Sequence, residues 1–531
     1  MTMKTTCCMA LLLFTAGMLQ AAPPESFGAR VEEVRKAAGV PGLGVAIVES
    51  GEVTLARGYG VKKLGTRDPI DADTIFPTGS TGKAFTVAAL AVLVDAKRIA
   101  WDDPVIDHMP WFRMYDPWVT REITIRDLLV HRTGLPLGAG DLMFVPRTNR
   151  SRRDSVEAVR HLRPATSFRS AYAYDNVLYM AAGQLIEDVT GRTWETFVKE
   201  EILEPAGMDN SVTDDEDRFA TANRAYPHAR VNGVFRGTGD QQLLDERDGL
   251  GRNAAPAGGI ASSANDMARW MQIQLGRGEL PDGDGRLFSE AAWEEMWKPV
   301  VLMEPRQWPG DLAPLVPNFS TYALGWDVED YAGAKLVRHD GAVFGFLTTV
   351  VLIPAKDVGI FVVVNSEDGE VVLGLATELV DHYLGLPHTD WTERFARFRR
   401  ERATKALEDF EADTAEPANV GPSLSLADYA GDYADPWYGP ISIQLEDGTL
   451  RIDFRQSPGM TGDLEHWQYD TFRTSWDDDT IEPAYVTFAL DAEAEVARIT
   501  MKAVSPLADF SYDYHDLEFT PVEASSAADR P

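Results

Sequence analysis

Apolar and polar positions follow two regimes along this chain, with a change near residue 425. Residues 27–38 space their apolar side chains at helical intervals. Residues 42–47 and 53–58 alternate on either side of Ser50-Gly51, which predicts a β-hairpin. A long middle then mixes amphipathic helices with loops rich in proline and glycine. Strands are predicted again at 336–338, 346–353 and 359–364, followed by a helix over 370–384. Strands at both ends with helices between them predict an α+β fold: an antiparallel sheet assembled from the two extremes of the segment, beside a helical insertion. Residues 392–415 are charged and helical in composition, and 416–425, with two prolines, read as the end of a linker. Beyond it, 429–433, 441–445, 450–454, 485–490 and 496–502 are short alternating segments separated by turns, the pattern of a small all-β module.

The first residues stand apart from this pattern. Met1-Thr2-Met3-Lys4 is a short basic start, 7–19 are apolar, and small residues at Ala21-Ala22 precede Pro23-Pro24. This is the form of a secretory signal peptide cut after Ala21 or Ala22, so the expected location is periplasmic or secreted. The predicted division is therefore 1–22 signal peptide, 23–390 α+β unit, 391–425 helical linker and 426–525 all-β module. Both cysteines, Cys7 and Cys8, fall in the leader, so the mature chain is expected to hold no disulfide and no cysteine-ligated metal. No other apolar run reaches 18 residues, which predicts no integral membrane segment after cleavage. A net charge of −33 argues against nucleic acid and anionic membranes as partners. The acidic runs 214–217 and 477–479 lack calcium-loop spacing and read as solvated surface. The histidines show no metal-ligand spacing, and neither metal nor organic cofactor is expected.

Three short motifs carry candidate chemistry. Ser80-Thr81-Gly82-Lys83 precedes the apolar run 84–90, so hydroxyl and amine lie one turn apart on one face. An amine kept neutral by burial could take the serine proton. Tyr174-Asp175-Asn176 precedes an apolar helix closed by Gly191. Here a tyrosine whose pKa is lowered by the lysine charge could carry protons, and the Asn176 amide could bond both Lys83 and a substrate carbonyl. The plainer alternative is a loop tyrosine and a helix cap. His339-Asp340-Gly341 places a glycine on a strand, where the backbone can approach a bound acyl group. The N–H groups of Ala342 and Ser80 would then form an oxyanion hole, with His339 as a polarising group, the alternative being a simple strand-end turn.

In this order and spacing the three motifs resemble the serine β-lactamase-like family, in the branch of class C β-lactamases, D-alanyl-D-alanine carboxypeptidases, D-aminopeptidases and carboxylesterases. Residues 123–136, 256–262 and 322–326 add to the likeness, which covers 28–385. The module containing Tyr429-Ala430-Gly431-Asp432-Tyr433 resembles the lipocalin-like barrel appended to some peptidases of that family. There the barrel covers or borders the active site; a stability or dimerisation module is the alternative, and a homo-oligomer is left open. The resemblance implies an exported serine hydrolase working through an acyl-enzyme. Ser80, Lys83 and Tyr174 would be catalytic, with Tyr174 activating the deacylating water. Asn176, His339, Gly341 and Ala342 would bind a small-molecule or peptide substrate. Antibiotic-hydrolysing members carry lysine where His339 stands, and a neutral histidine holds a carboxylate less well, which argues against β-lactamase activity. The expected substrates are short or unusual peptides, containing D-residues or derived from cyclic peptides of the microcystin type. The alternative is a carboxylesterase. A non-catalytic binding protein of the same fold is disfavoured because serine, lysine and tyrosine are all present. Loops 207–250 and 300–321 are expected to line the pocket.

Overall fold

The computed structural model describes residues 23–247, 249–283, 285–413 and 418–522. The expected leader with Cys7 and Cys8, residues 414–417 of the expected linker and 523–525 of the all-β module lie outside the described residues.

Helix α1 (Phe27–Ala38) ends at Gly39, whose left-handed φ of 69° closes the helix without a Cβ clash. The hairpin follows as β1 (Gly42–Glu49) and β2 (Glu52–Gly60). Six further strands complete one antiparallel sheet: β3 (Val301–Met303), β4 (Ser320–Tyr322), β5 (Asp327–Tyr331), β6 (Ala334–Val343), β7 (Phe346–Ile353) and β8 (Val358–Val364). Their order is β2-β1-β8-β7-β6-β5-β4-β3, so the first strands pair with the last, Val45 opposite Val362. The sheet expected from the two ends is thus present, extended by three short strands that the hydrophobic pattern did not reveal.

Strands β1 and β8 are buried along their whole length. Continuous apolar runs of this kind arise when both faces of a sheet are covered. One face packs against α1 and the closing helix, which spans Gly369–Leu384, through Val31, Val45, Leu375 and Leu379. The other face meets the helical insertion. In it α2 (Lys83–Asp95) is buried on almost every side, α3 (Val177–Thr190) lies beside it, and α4 (Ala264–Leu275) stacks Trp270 on Phe85 at 4.1 Å. With the closing helix as α5, the charged segment forms α6 (Trp391–Asp413). Trp391 donates to Asp381 of α5 at 2.6 Å, so this helix packs onto the α+β unit instead of tethering freely.

The C-terminal module is a closed eight-stranded barrel, β9 to β16, running from Gly431–Asp435 to Glu518–Pro521. Thr461–Gln468, Thr471–Trp476 and Glu518–Pro521 add three strands to the five that the sequence pattern predicts. An eight-stranded barrel is just wide enough for side chains to fill. Here rings fill it: Tyr438 meets Phe454 at 5.1 Å, Phe454 meets Phe519 at 5.7 Å and Tyr429 meets Phe488 at 4.8 Å. The barrel docks on the insertion. Arg150 donates to the Trp437 and Tyr438 carbonyls, and Thr148 Oγ1 and Asn149 N both donate to the Gln456 carbonyl at 2.8 Å.

Candidate active site

A short strand, Phe76–Pro77, delivers the chain to the first motif, and Thr78 donates from both N and Oγ1 to the Ile260 carbonyl at 2.9 Å. Gly79 then turns with φ 54° into a 3₁₀ turn, Gly79–Gly82, which leads directly into α2. The motif therefore spans a 3₁₀ turn and the first α-helical residue. At three residues per turn, side chains i and i+3 eclipse, which sets Lys83 against Ser80.

Lys83 is fully buried, and its Nζ has three oxygen neighbours: Asn176 Oδ1 at 2.7 Å, the Ala257 carbonyl at 3.0 Å and Ser80 Oγ at 3.1 Å. A neutral amine donates two N–H groups and keeps one lone pair. The amide and carbonyl take the donors, leaving the lone pair for the Ser80 hydroxyl proton. Burial pulls the lysine pKa from 10.5 to about 7, against the opposing pull of Asp141 and Asp175.

Tyr174 OH donates to Ser80 Oγ at 2.7 Å. Its ring lies 4.7 Å from Lys83 Nζ and 4.4 Å from the buried His131 ring. The expected lowering of this tyrosine's pKa is not what the structure shows. Burial pushes the phenol well above 10, so Tyr174 is a proton donor at neutral pH and no phenolate base.

Asn176 sits just ahead of α3 without capping it. Its oxygen accepts from Lys83, while its nitrogen donates to Asp141 Oδ2 at 2.9 Å. One amide hydrogen is left for a substrate carbonyl. Helix α3 lies close because Gly183 leaves room for Pro256, whose ring would meet a Cβ at 2.1 Å, and the neighbouring Ala257 carbonyl thereby reaches Lys83.

Strand β6 pairs with β5 only over Ala334–Arg338, so its last residues turn a free edge toward Ser80. A Cβ on Gly341 would lie 2.1 Å from the Thr78 carbonyl and 3.2 Å from Ser80 N. A Cβ on Gly79 would lie 2.6 Å from Ala342 N. Two glycines thus let the strand and the serine turn touch, and they bring the Ala342 amide beside that of Ser80. His339 is beside the site but occupied. It is buried, with Nδ1 2.6 Å from the Asp340 carbonyl and Nε2 3.0 Å from Tyr322 OH. Burial and the lysine hold its pKa near 3, so it supports Tyr322 as a neutral ring, and the polarising role expected of it has no free nitrogen.

Asp141, Ala257, His131 and Tyr322 join the site without having been singled out for it. The last three lie in stretches that already carried the family likeness, whereas Asp141 sits alone in a Gly-rich loop with no local signal. Both loops expected to line the pocket do line hollows near the motifs, though Ser80, Lys83 and Tyr174 are not among the lining residues. A cavity of about 690 Å³ is lined by Leu302, Arg306, Trp308, Asp327 and Arg338 together with Tyr172, and none of Ser80, Lys83 and Tyr174 reaches it. Leu250, Gly251 and Asp214 line a smaller hollow beside Val343.

An α+β fold with a Ser-Lys pair, a tyrosine on the serine oxygen and two glycines closing a strand onto it has the form of a serine hydrolase. Residues 27–385 match the Beta-lactamase family, to which the chain belongs; residues 415–521 match a domain of unknown function, DUF3471. The Unguisins hydrolase ungD' of Aspergillus campestris is 30% identical over 76% of this chain and 74% of its own length. Penicillin-binding protein 4 of Amycolatopsis lactamdurans is 28% identical over 67% of this chain and 88% of its own. Among solved structures, the octameric penicillin-binding protein homologue from Pyrococcus abyssi covers 93% of this chain and 99% of its own at 19% identity, with a TM-score of 0.59.

Proposed function

We propose that this hydrolase is an exported peptidase acting on short or unusual peptides through an acyl-enzyme on Ser80. The observation that carries the reading is the buried Lys83 nitrogen 3.1 Å from Ser80 Oγ, with its other two positions occupied by acceptors. As the Ser80 oxygen bonds to the substrate carbonyl carbon, its proton passes to Lys83. The developing oxyanion is held by the Ser80 and Ala342 amides. Tyr174, still protonated, gives its proton to the leaving nitrogen and is reprotonated from the Lys83 ammonium. Water then attacks the acyl carbon, Lys83 takes its proton, and the Ser80 oxygen leaves and is reprotonated.

Amide cleavage requires a proton for a poor leaving group, and a phenol with a raised pKa supplies one. The free edge of β6 suits an extended peptide backbone, which can pair with it as an added strand. His339 contributes no cation, so a substrate whose carboxylate must be gripped there, such as a β-lactam, is disfavoured. That two relatives are named Unguisins hydrolase supports a hydrolytic role for this chain. A carboxylesterase is the second reading, since an alkoxide leaves with less help than an amine.

The test compares the mature protein with Ser80→Ala on p-nitroanilides of L- and D-amino acids and on p-nitrophenyl esters. Anilide turnover lost in the variant supports the peptidase. Ester turnover alone, lost in the variant, moves the esterase ahead, and activity surviving in the variant rejects the site. Export is tested by mass spectrometry of the protein from its own cells, with a mature start at residue 22 or 23 expected.

A further inference from the structure

The segment between the last two barrel strands, residues 504–517, does not stay within the barrel. Phe510 sets its ring edge-on to Tyr174 at 6.1 Å and fills the space beside Gly138, where a Cβ would meet it at 2.7 Å. Ser511 Oγ donates to Asp141 Oδ2 at 2.8 Å. Asp513 accepts the backbone N–H groups of Gly140 at 2.7 Å and Leu142 at 3.1 Å, and so holds the turn that carries Asp141. Asp141 Oδ2 also accepts from Asn176 Nδ2, and Asn176 Oδ1 faces Lys83. A continuous run of hydrogen bonds thus leads from the barrel to the catalytic lysine, every member of it buried.

We propose that Asp141, held by Ser511 of the C-terminal barrel, is a positioning residue that fixes the orientation of the Asn176 amide and tunes the charge state of Lys83. The proposal rests on the reading of Ser80 and Lys83 as the catalytic pair. Its physical basis is the two-ended nature of an amide. Asparagine can present oxygen or nitrogen to a neighbour, and the network decides which. A carboxyl oxygen accepting from Nδ2 forces Oδ1 toward the lysine. Oδ1 accepts from the lysine N–H in both of its protonation states, whereas Nδ2 in that place would repel the ammonium. Asp141 adds a charge effect through the same path, since the fraction of it that is ionised favours the protonated lysine.

Other groups face Lys83 from every side. Tyr174, Asp175 and Tyr179 come from α3 and the segment ahead of it, His131 from the loop before Asp141, and His339 from β6. Asp509 and Asp513 of the barrel segment face Asp141 in turn. Burial raises the pKa of Asp141 to about 8, against the downward pull of Ser511, Asn176 and Lys83. Within this set, Asp509, Ser511 and Asp513 reach the site from a different module.

The test is the pH dependence of kcat/KM on a p-nitrophenyl ester for wild type, Asp141→Asn, Ser511→Ala and Ser511→Thr, with circular dichroism to confirm folding. Activity requires the neutral amine, so the acid limb reports the lysine. Asp141→Asn removes the carboxylate and should move that midpoint down by about one pH unit. Ser511→Ala weakens the carboxylate and should shift the midpoint the same way by less, while Ser511→Thr, which keeps the hydroxyl, should restore it. If Asp141→Asn does not fold, the serine pair still decides the question. A midpoint unmoved in the folded variants, with turnover still dependent on Ser80, overturns this proposal alone. Turnover that survives Ser80→Ala overturns the catalytic pair and this proposal with it.

Discussion

Lys83 shows how one buried residue trades stability for chemistry. Its pKa of about 7 in the folded chain lies below the 10.5 of a free lysine. Between those values the unfolded chain binds a proton that the folded chain does not, so stability rises with pH in that window. Below about pH 7 both states hold the proton and the cost of burying it is felt in full. Replacing Lys83 by Met should therefore stabilise the protein most below about pH 7 and progressively less at higher pH. The advantage should narrow by about 2 kcal/mol between pH 7 and 9. Thermal melts of the two proteins across that range measure it, and a constant difference would mean that the lysine stays charged when folded. The cluster of Ser80, Lys83 and Tyr174 was legible in the sequence because the family motifs place these residues at fixed spacing. The protonation state of Tyr174 and the occupancy of both His339 nitrogens were not legible. They depend on Tyr322, Asp340 and His131 converging from separate segments.

At the scale of elements, the site is a contact between a 3₁₀ turn and a strand. That contact exists because Gly341 and Gly79 have no side chains. Gly341→Ala puts a methyl group 2.1 Å from the Thr78 carbonyl, a backbone atom with no rotamer to escape into. The strand must move away, at a stability cost of about 1–3 kcal/mol. Loss of the shared amide geometry should lower kcat/KM by about 100-fold. Stopped-flow acylation of the variant beside its melting curve separates the two effects, and near-normal acylation would show that the Ala342 amide is not needed. The elements themselves were partly readable. Helices α1 and α5 carry periodic patterns and strands β7 and β8 apolar runs, and all four form close to where those patterns lie. Strands β3, β4 and β5 are at most five residues long, and their period is too short to stand out.

For the whole molecule, the barrel and the α+β unit satisfy one another's polar groups. The Gly140 and Leu142 amides bond Asp513, the Arg150 guanidinium bonds carbonyls of 437 and 438, and Arg236 bonds the Thr480 carbonyl at 2.8 Å while pairing with Glu367. Because those buried groups lose their partners if either unit opens, calorimetry should record one unfolding transition for both. Two resolved transitions would show that the units are energetically independent.

The sequence by itself determined the α+β class, the presence of a C-terminal β module and the Ser-Lys-Tyr set. These are recorded locally, in periodicity and in motifs that lie within a few residues. The lowered pKa of Lys83, the occupancy of both His339 nitrogens and the run of hydrogen bonds from the barrel through Ser511 and Asp141 to Lys83 came only with the fold. Each of those depends on burial and on partners up to hundreds of residues apart, and desolvation is a property of the folded surroundings that no stretch of chain carries alone.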